Sequence, residues 1–382
     1  MTIPGIAAVE WGERNSPLLV LGPSLGTSAE ALWSEAAERL ADSYHIIAWD
    51  LPGHGHSTAA PGQFTIAELA QAVMHIVDSS VGGATRFDYA GDSVGGCVGL
   101  QLLLDAPTRI ASATLLCTGA KIGDAHMWHD RASLVRQSGT PIMVEQSAKV
   151  WFAPGFTDGY PQRTAPLLDA LQAANAEGYA RVCEALAGFD VRDRLGEIVA
   201  PVLAVGGAHD SATPPELIRD IADGVPDGRA VIIEDAAHLA PAEQPEHIAD
   251  LIREHITNAQ RISDRHQQGM AVRRAVLGDE HVDRANASTT GFTAEFQDLI
   301  TRYAWGEIWT RPGLDRRTRS LVTITALITR GHHEELAMHV RAARRNGVAV
   351  DEIKEVILQS AIYCGVPDAN TAFRIAADAL DE

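Results

Sequence analysis

The architecture of this chain can be read most directly from RFDYAGDSVGGCVGLQLLLD, residues 86–105. The segment begins as an apolar strand, bends at a G-x-S-x-G pattern centred on Ser93, and continues as an apolar helix. Such a pattern arises by chance in roughly one chain of this length in ten, so its position between strand and helix carries the information. A sharp strand-to-helix bend needs small residues on both sides of a reactive serine. The context predicts Ser93 as a nucleophile; the alternative is a serine that caps the helix.

Apolar strands alternate with helical segments on both sides of this bend. Strands too apolar to face water, joined by helices, are typical of a mostly parallel sheet covered on both faces. The sequence therefore predicts an α/β fold. The predicted elements are PLLVLG, helix 29–40, YHIIAWD, helix 66–79, RFDYAG, helix 94–105, IASATLLCT, PVLAVGG, RAVIIED and a closing helix near 243–257.

Residues 121–195 interrupt the alternation, because they lack strand signals and are rich in aromatic side chains. We expect a helical insertion that caps the end of the sheet. A second change falls at TNAQRISD, residues 257–264, which is polar and short of apolar anchors; it predicts a boundary between domains at 1–257 and 258–382. Beyond it the pattern is helical throughout, with predicted helices at 264–277, 292–308, 315–329, 333–346, 350–362 and 368–380.

Composition limits the possible partners and location. The chain has 382 residues, and single cores stop growing near roughly 250 to 300 residues, so two domains are expected. The net charge of -19 argues against binding to nucleic acid, which needs a basic face. No segment resembles a signal peptide or a membrane span. The four cysteines are scattered without a CxxC pair, which favours a reducing compartment, and we expect a cytoplasmic protein.

Two residues in later loops supply what a nucleophilic serine needs. A serine hydroxyl reacts only when a base removes its proton and an acid orients that base. Asp210 follows strand PVLAVGG and His238 follows strand RAVIIED, in the chain order that this kind of fold requires. The alternatives are a helix-capping aspartate and a surface histidine. The oxyanion donors are expected to be the amides of Val94 and of Leu25 in the first glycine turn.

Residues 1–257 resemble the 3-oxoadipate enol-lactonases of the α/β-hydrolase superfamily. The resemblance rests on SLGTS with Trp33, on the run Asp50 to Ser57, and on the insertion pattern Trp128, Arg131, Arg136, Trp151 and Phe152, although many relatives have arginine where this chain has Pro52. It implies a small lactone that carries a carboxylate. The implied substrate-binding residues are Ser24, Trp128, Arg131 and Trp151, with Arg131 as anion anchor. Arg131 could equally be a solvated charge, and the tryptophans could be core.

In the helical domain the informative segment runs from Gly313 to Val348. Glu335 and His339 are four positions apart and share a helix face, which could set a histidine as a proton donor near neutral pH. Without further information, a partly solvated charged face is the more frequent reason for such a pair. Residues 264–378 resemble the 4-carboxymuconolactone decarboxylases, through VLGDEHVDRA, YAWGEIWTRPGLDRRTRSL, HHEELAMHVRAARRNGV and AIYCGVPDANTAFRIA. Peroxidase-reducing relatives have a CxxC pair, which His332 and Glu335 replace here.

The two resemblances imply consecutive reactions of protocatechuate breakdown on one chain. The implied decarboxylation needs no cofactor, since the lactone is its own electron sink; His339 is expected as the acid, Glu335 as its partner, and Arg316 and Arg319 as carboxylate clamps. We expect no metal, no cofactor and no membrane partner, only lactone carboxylates and self-association through the helical domain. The rival interpretation is a serine carboxylesterase or acyltransferase fused to a non-catalytic oligomerisation module.

Overall fold

A seven-stranded sheet forms the centre of the first part of the chain. The structure, a computed structural model, describes residues 3–381 and divides into two units, one ending at Ala259 and one beginning at Gln260. The strands lie in the order β1-β3-β2-β4-β5-β6-β7. All neighbouring pairs are parallel except β1 and β3. The strands are β1 Ala8–Trp11, β2 Leu18–Gly22, β3 His45–Trp49, β4 Phe87–Asp92, β5 Ile110–Leu116, β6 Val202–Gly207 and β7 Gly228–Ile233.

Helices cover this sheet, as its apolar strands require. Strands β2, β3, β4 and β6 are buried along their whole length, so both faces must be shielded from water. Ser28 caps the first helix and Thr65 opens the second with a capping box, which explains why both begin where the sequence predicts. Three helices pack on the sheet, namely α1 Ala29–Leu40, α3 Val94–Asp105 and α9 Pro215–Gly224, while α2 Ile66–Val81 packs on α3 and α10 Ala240–Glu243 packs on α1.

The insertion between β5 and β6 is helical. The helix Ala125–Ser138 packs on the helix Ala176–Ala187. Trp128, Trp151 and Phe152 are buried in the core of the unit. The insertion contains α4 Ala125–Ser138, α5 Val144–Trp151, α6 Phe156–Gly159, α7 Pro161–Ala173 and α8 Ala176–Ala187, with short 3₁₀ turns at Thr140–Met143 and Arg192–Glu197. It is called the cap below.

The second unit is all-helical. Its main core joins apolar side chains of four helices, and a smaller cluster includes Val276, Val282 and Trp305. Gly269 and Gly306 lie where two helices approach closely, because a Cβ on Gly269 would lie 2.1 Å from the Thr301 carbonyl oxygen. The elements are α12 Asp279–Ala287, α13 Ala294–Ile300, a π-helix Thr301–Ile308, α14 Arg316–Arg330, α15 His333–Arg345, α16 Val350–Tyr363 and α17 Val366–Asp381.

The structure differs from the sequence prediction in several elements. The helix predicted at 292–308 is α13 followed by the π-helix Thr301–Ile308. The helices predicted at 243–257 and 264–277 are one helix, α11 Pro245–Leu277. The intervening TNAQRISD is polar but contains no glycine or proline, so nothing in it ends a helix. Strand β1 and helix α12 were not predicted, because β1 is a short edge strand and α12 has a strongly polar sequence.

Candidate active sites

The bend at Ser93 is strained and tightly packed. Ser93 has φ +53° and ψ -114°, a conformation that places a serine side chain out of the line of the strand. A Cβ on Gly95 would lie 2.6 Å from the backbone carbon of Gly22, and one on Gly91 would lie 2.4 Å from the Gly95 carbonyl oxygen. Glycine is therefore required on both sides of the serine, as the pattern indicates.

The structure brings Ser93, His238 and Asp210 into one hydrogen-bonded chain. Nε2 of His238 lies 3.0 Å from Oγ of Ser93, and Nδ1 of His238 lies 2.9 Å from Oδ2 of Asp210. Because the carboxylate can only accept, Nδ1 carries the proton and Nε2 is left to accept one from serine. Asp210 is held by the amides of Ala212 and Thr213, each 2.9 Å from Oδ1, and by the Thr213 hydroxyl, which donates to Oδ2 at 2.5 Å.

Charges around His238 favour its protonated form. Burial alone lowers the pKa of His238, but the charge and hydrogen bond of Asp210 outweigh it, so the pKa lies above its ordinary value. Burial likewise opposes ionisation of Asp210, but His238 and Thr213 hold the pKa of Asp210 below its usual range. Beside Ser93, burial raises the pKa of Asp92 well above its ordinary value.

The two residues predicted to supply the oxyanion donors, Val94 and Leu25, lie next to Ser93 or line its cavity. Val94 begins α3, and the first amides of a helix have no acceptor within the helix. Leu25 lies in the turn that Thr27 closes by donating to the Ser24 carbonyl at 3.2 Å. Leu25 and Ser93 line the same cavity. The roles of the Val94 and Leu25 amides as oxyanion donors stay a prediction.

The predicted substrate-binding residues of the first unit share that cavity. Its volume is about 80 Å³, and its lining includes Ser24, Trp128, Arg131, Trp151, Ser93 and His238. Arg131 is half-buried, its guanidinium lies 5.0 Å from the centre of the Trp128 ring, and no described carboxylate pairs with it. Trp128 is itself fixed by donation from Nε1 to the Ile122 carbonyl at 2.6 Å. A cation without a protein counterion therefore faces the serine and histidine.

Two residues that contact this machinery were missed from the sequence. Thr213 bonds Asp210 and lies 3.2 Å from Nδ1 of His238, and Glu243 accepts a hydrogen bond from the amide of Ala237. Both lie a few residues after a predicted member of the triad, Thr213 in DSATPP and Glu243 in HLAPAEQPE. Proximity in sequence was the only available signal.

In the second unit, His339 lies among aromatic and basic groups. Its ring stacks on Trp309 with centroids 6.5 Å apart, and Trp309 in turn contacts Trp305 at 5.0 Å. Burial, together with the neighbouring charge of His281, lowers the pKa of His339 to about 4, although Glu335 opposes the shift. Nδ1 of His339 is buried without a partner in the described chain. The imidazole is therefore neutral near pH 7 in the free unit.

The remaining predicted residues are less closely assembled. Glu335 is exposed, and the described residues show no hydrogen bond between Glu335 and His339, so the predicted orienting contact is absent. Arg316 is exposed in the first turn of α14. The preceding residue, Asp315, caps that helix by accepting a hydrogen bond from the Thr318 amide. Arg319 donates to the Arg311 carbonyl at 2.9 Å. Neither arginine forms a ring contact or hydrogen bond with His339 within residues 3–381.

Two general features of the described chain bear on cofactors and membranes. Within residues 3–381, no group of three or more histidine, cysteine, aspartate or glutamate side chains is arranged to hold a metal ion. In the same range, every helix is too short or too polar to cross a membrane.

The parallel sheet, the strained serine bend and the Ser93–His238–Asp210 chain define the first unit as an α/β-hydrolase. Residues 17–138 match the family described as alpha/beta hydrolase fold, and residues 294–378 match the carboxymuconolactone decarboxylase family. The chain belongs to the 3-oxoadipate enol-lactonase family through its first unit and to the 4-carboxymuconolactone decarboxylase family through its second, and is a fusion of the two. Both resemblances inferred from sequence, and the predicted fold class, are confirmed.

Individual relatives show how far each similarity extends. The 3-oxoadipate enol-lactonase 2 of Acinetobacter baylyi is 34% identical over 237 residues, which cover 62% of this chain and 87% of that protein. The 4-carboxymuconolactone decarboxylase of the same species is 48% identical over 118 residues, 31% of this chain and 88% of that protein. The solved enol-lactonase of Burkholderia xenovorans LB400 superposes with a TM-score of 0.63 at 30% identity, covering 66% of this chain and 96% of that one.

Proposed function

We propose that the chain is a bifunctional enzyme that decarboxylates 4-carboxymuconolactone to 3-oxoadipate enol-lactone and hydrolyses that lactone to 3-oxoadipate. The proposal is carried by two features of one chain. The first is a complete serine triad whose cavity contains an arginine with no carboxylate partner among the described residues. The second is a domain 48% identical to a 4-carboxymuconolactone decarboxylase. The product implied for one domain is the substrate implied for the other. Neither proposed reaction requires a metal or cofactor.

The first unit performs hydrolysis through an ester on Ser93. His238 removes the Oγ proton as Oγ attacks the lactone carbonyl, and the Leu25 and Val94 amides bind the resulting oxyanion. The ring C–O bond then breaks, and the enol oxygen leaves with the proton held by His238. Water, deprotonated by His238, hydrolyses the ester and frees the serine. Asp210 keeps the imidazole in the required tautomer and stabilises its charged form.

Arg131 is proposed to bind the carboxylate of the lactone, and Arg131→Gln tests this. We expect KM for the enol lactone to rise about 10- to 100-fold with little change in kcat, because a charge-assisted hydrogen-bonded contact contributes roughly 1.5–3 kcal/mol. Hydrolysis of neutral p-nitrophenyl acetate should be unaffected. Arg136→Gln is the matched control, since Arg136 lies on the same helix but pairs with Glu177 and Glu184. An unchanged KM in Arg131→Gln would show that Arg131 does not bind the substrate carboxylate.

The second unit is proposed to decarboxylate without a covalent intermediate. When the carboxylate beside the ring oxygen leaves as CO2, its bonding electrons pass through the ring double bond onto the lactone carbonyl. A proton delivered to the carbon next to that carbonyl then gives the enol lactone. The protein has to bind the carboxylates, stabilise the carbonyl oxygen and deliver the proton.

His339 is proposed as the proton donor of this step. The lowered pKa of His339 describes the free unit, where burial and the His281 charge favour the neutral ring. A bound dianionic substrate would place negative charge beside the ring and raise its pKa, as an opposite charge within a few ångströms does. Glu335 contributes to the same balance, since its charge already opposes the downward shift. Arg316 and Arg319 remain proposed carboxylate ligands.

Purified full-length protein mixed with 4-carboxymuconolactone provides the direct test of the pair of reactions. We expect release of one equivalent of CO2 and accumulation of 3-oxoadipate. The rival function, a general carboxylesterase with a non-catalytic helical domain, predicts an untouched carboxymuconolactone and faster turnover of simple aryl esters than of enol lactone. The two substrates assayed on one preparation therefore separate the two functions.

Self-association through the second unit is also proposed. Ile362, Tyr363 and Val366 are 79%, 79% and 71% exposed, and such adjoining apolar side chains usually mark a contact surface. Tyr363→Glu should lower the mass measured by light scattering from an oligomer to a single chain. The matched control is Tyr160→Glu, at an exposed tyrosine of the cap. A wild-type protein that is monomeric at micromolar concentration would contradict the proposal.

A cytoplasmic location is the last part of the proposal. Cys97, Cys117 and Cys183 are buried free thiols, and Cys364 is also unpaired. Burial raises the pKa of Cys97 to about 12, so this thiol stays protonated. Unpaired cysteines are the usual state in a reducing compartment. Cell fractionation with an antibody against the chain tests the location.

A further inference from the structure

Glu243 is a buried carboxylate that joins two separate backbone segments. It is 2% exposed and lies at the end of the four-residue helix α10. Oε1 accepts a hydrogen bond from the Ala153 amide at 2.7 Å, and Oε2 accepts one from the Ala237 amide at 2.7 Å. Both carboxylate oxygens are therefore occupied by backbone donors.

The two donors belong to segments whose neighbouring residues, Trp151 and His238, line the cavity at Ser93. Ala153 follows the cap helix α5 and lies two residues after Trp151, which lines the cavity. Ala237 directly precedes His238. A further bond joins the same segments, because the Leu239 amide donates to the Trp151 carbonyl at 3.1 Å. The cap segment and the histidine loop are thus bonded on both sides of His238.

Two acceptor oxygens are needed in this arrangement, because the two amides bond different oxygens of Glu243. Each amide donates one hydrogen, and a carboxylate is the side-chain group with two equivalent acceptor oxygens and no donor. A glutamine would satisfy one amide and point an NH2 group at the other. An unsatisfied buried amide costs about 1–3 kcal/mol, so the glutamine variant must release one segment or rearrange.

We infer that Glu243 is a positioning residue of the hydrolase, which clasps the cap to the histidine loop and thereby aligns His238 with Ser93. The inference rests on the proposed function only for the role of Ser93 as nucleophile. It predicts that removal of the clasp lowers the reactivity of Ser93, because displacement of a catalytic group by about 1 Å can cost roughly 100-fold in rate.

The clasp is expected to depend on pH. Burial raises the pKa of Glu243 to about 7, against the opposing effect of the two amide donors. The charged or titratable groups around it include Asp92 beside Ser93 and Asp210 and His238 in the triad. Others lie in an adjoining groove of about 660 Å³, namely Arg163, His209, Asp235 and Glu246. The double-acceptor form is the ionised one, so the clasp weakens as pH falls through about 7.

Ionisation of Glu243 has opposite effects on the stability of the fold and on the reactivity of Ser93. A carboxyl with a raised pKa binds more protons in the folded than in the unfolded state between its ordinary pKa and about 7. Its contribution to stability is therefore fully present below the ordinary pKa and is lost as pH rises through about 7. Ionisation thus costs folding free energy while it completes the clasp.

Modification of Ser93 by a p-nitrophenyl alkylphosphonate measures the alignment without requiring the natural substrate. For Glu243→Gln we expect a rate constant about 10- to 100-fold below wild type at pH 8. For wild type, the logarithm of the rate constant plotted against pH should fall below neutrality with a slope approaching two, since His238 and Glu243 both take up a proton. Glu243→Gln should show a slope of one. Glu243→Asp keeps both acceptor oxygens on a shorter side chain, and its rate constant at pH 8 should lie between those of wild type and Glu243→Gln.

Glu68→Gln is the matched control, because Glu68 is also buried and accepts a backbone amide, that of Thr65, but lies in the capping box of α2. It should react within twofold of wild type. Wild-type reactivity and slope in Glu243→Gln, or equal losses in Glu68→Gln and Glu243→Gln, would overturn the inference. Phosphonylation of Ser93→Ala at the wild-type rate would instead show that Ser93 is not the nucleophile. Failure of the inference about Glu243 and failure of the proposed function are therefore distinguishable.

Discussion

Ser93→Ala is expected to abolish hydrolysis of the enol lactone while leaving decarboxylation at its wild-type rate. Without Oγ no ester can form, and removal of the nucleophile from a serine triad costs on the order of 10⁴- to 10⁶-fold in kcat. The variant supplied with 4-carboxymuconolactone should therefore release CO2 and accumulate enol lactone, followed by its ultraviolet absorbance and by ¹³C NMR. Stability should change little, since alanine fits the same strained bend.

The control for this variant is Ser133→Ala, at an exposed cap serine whose hydroxyl donates to the His129 carbonyl. It should keep both activities. Hydrolysis in Ser93→Ala at more than a few per cent of the wild-type rate would contradict the ester mechanism. Loss of decarboxylation in the same variant would show that the two units do not act as separate catalysts.

His339→Gln should have the second largest effect, on decarboxylation alone. Loss of a positioned proton donor typically lowers a rate by about 10²- to 10⁴-fold, and glutamine keeps hydrogen-bonding capacity without supplying a proton. The variant should still hydrolyse enol lactone added from outside. Stopped assays of CO2 release and of lactone loss measure the two activities on the same sample.

His333→Gln is the comparison variant, because His333 begins the same helix and is exposed. Its CO2 release should match wild type. Decarboxylation by His339→Gln within threefold of wild type would exclude His339 as the acid. An equal loss in both histidine variants would point to damage of α15 and not to loss of a proton donor.

Local sequence rules were sufficient for most of the hydrolase unit. The strand-bend-helix pattern around Ser93 depends on small residues and apolar runs within twenty positions, and the structure has the strand and helix where they were predicted. Asp210 and His238 could be placed because each lies in the loop that follows a predicted strand. Their mutual distances are properties of the folded sheet, but the order of strands in this fold makes the meeting predictable.

Contacts made across the fold could not be read in the same way. Glu243 bonds the amide of Ala153, ninety positions earlier, and no periodicity or motif connects the two. The π-helix Thr301–Ile308 was not predicted for a related reason. It packs closely on another helix at Gly269 and Gly306, and this contact joins residues that are distant in the sequence. In the second unit, four-residue spacing put Glu335 and His339 on one face, but spacing alone does not make a hydrogen bond.

The most direct measurement is a ¹³C NMR time course of the wild-type, full-length protein with 4-carboxymuconolactone. One equivalent of CO2 should appear with a rise of enol lactone, followed by its conversion to 3-oxoadipate with no other enzyme present. A substrate that persists unchanged, or a course that stops at the enol lactone, would contradict the claim that one chain catalyses both steps.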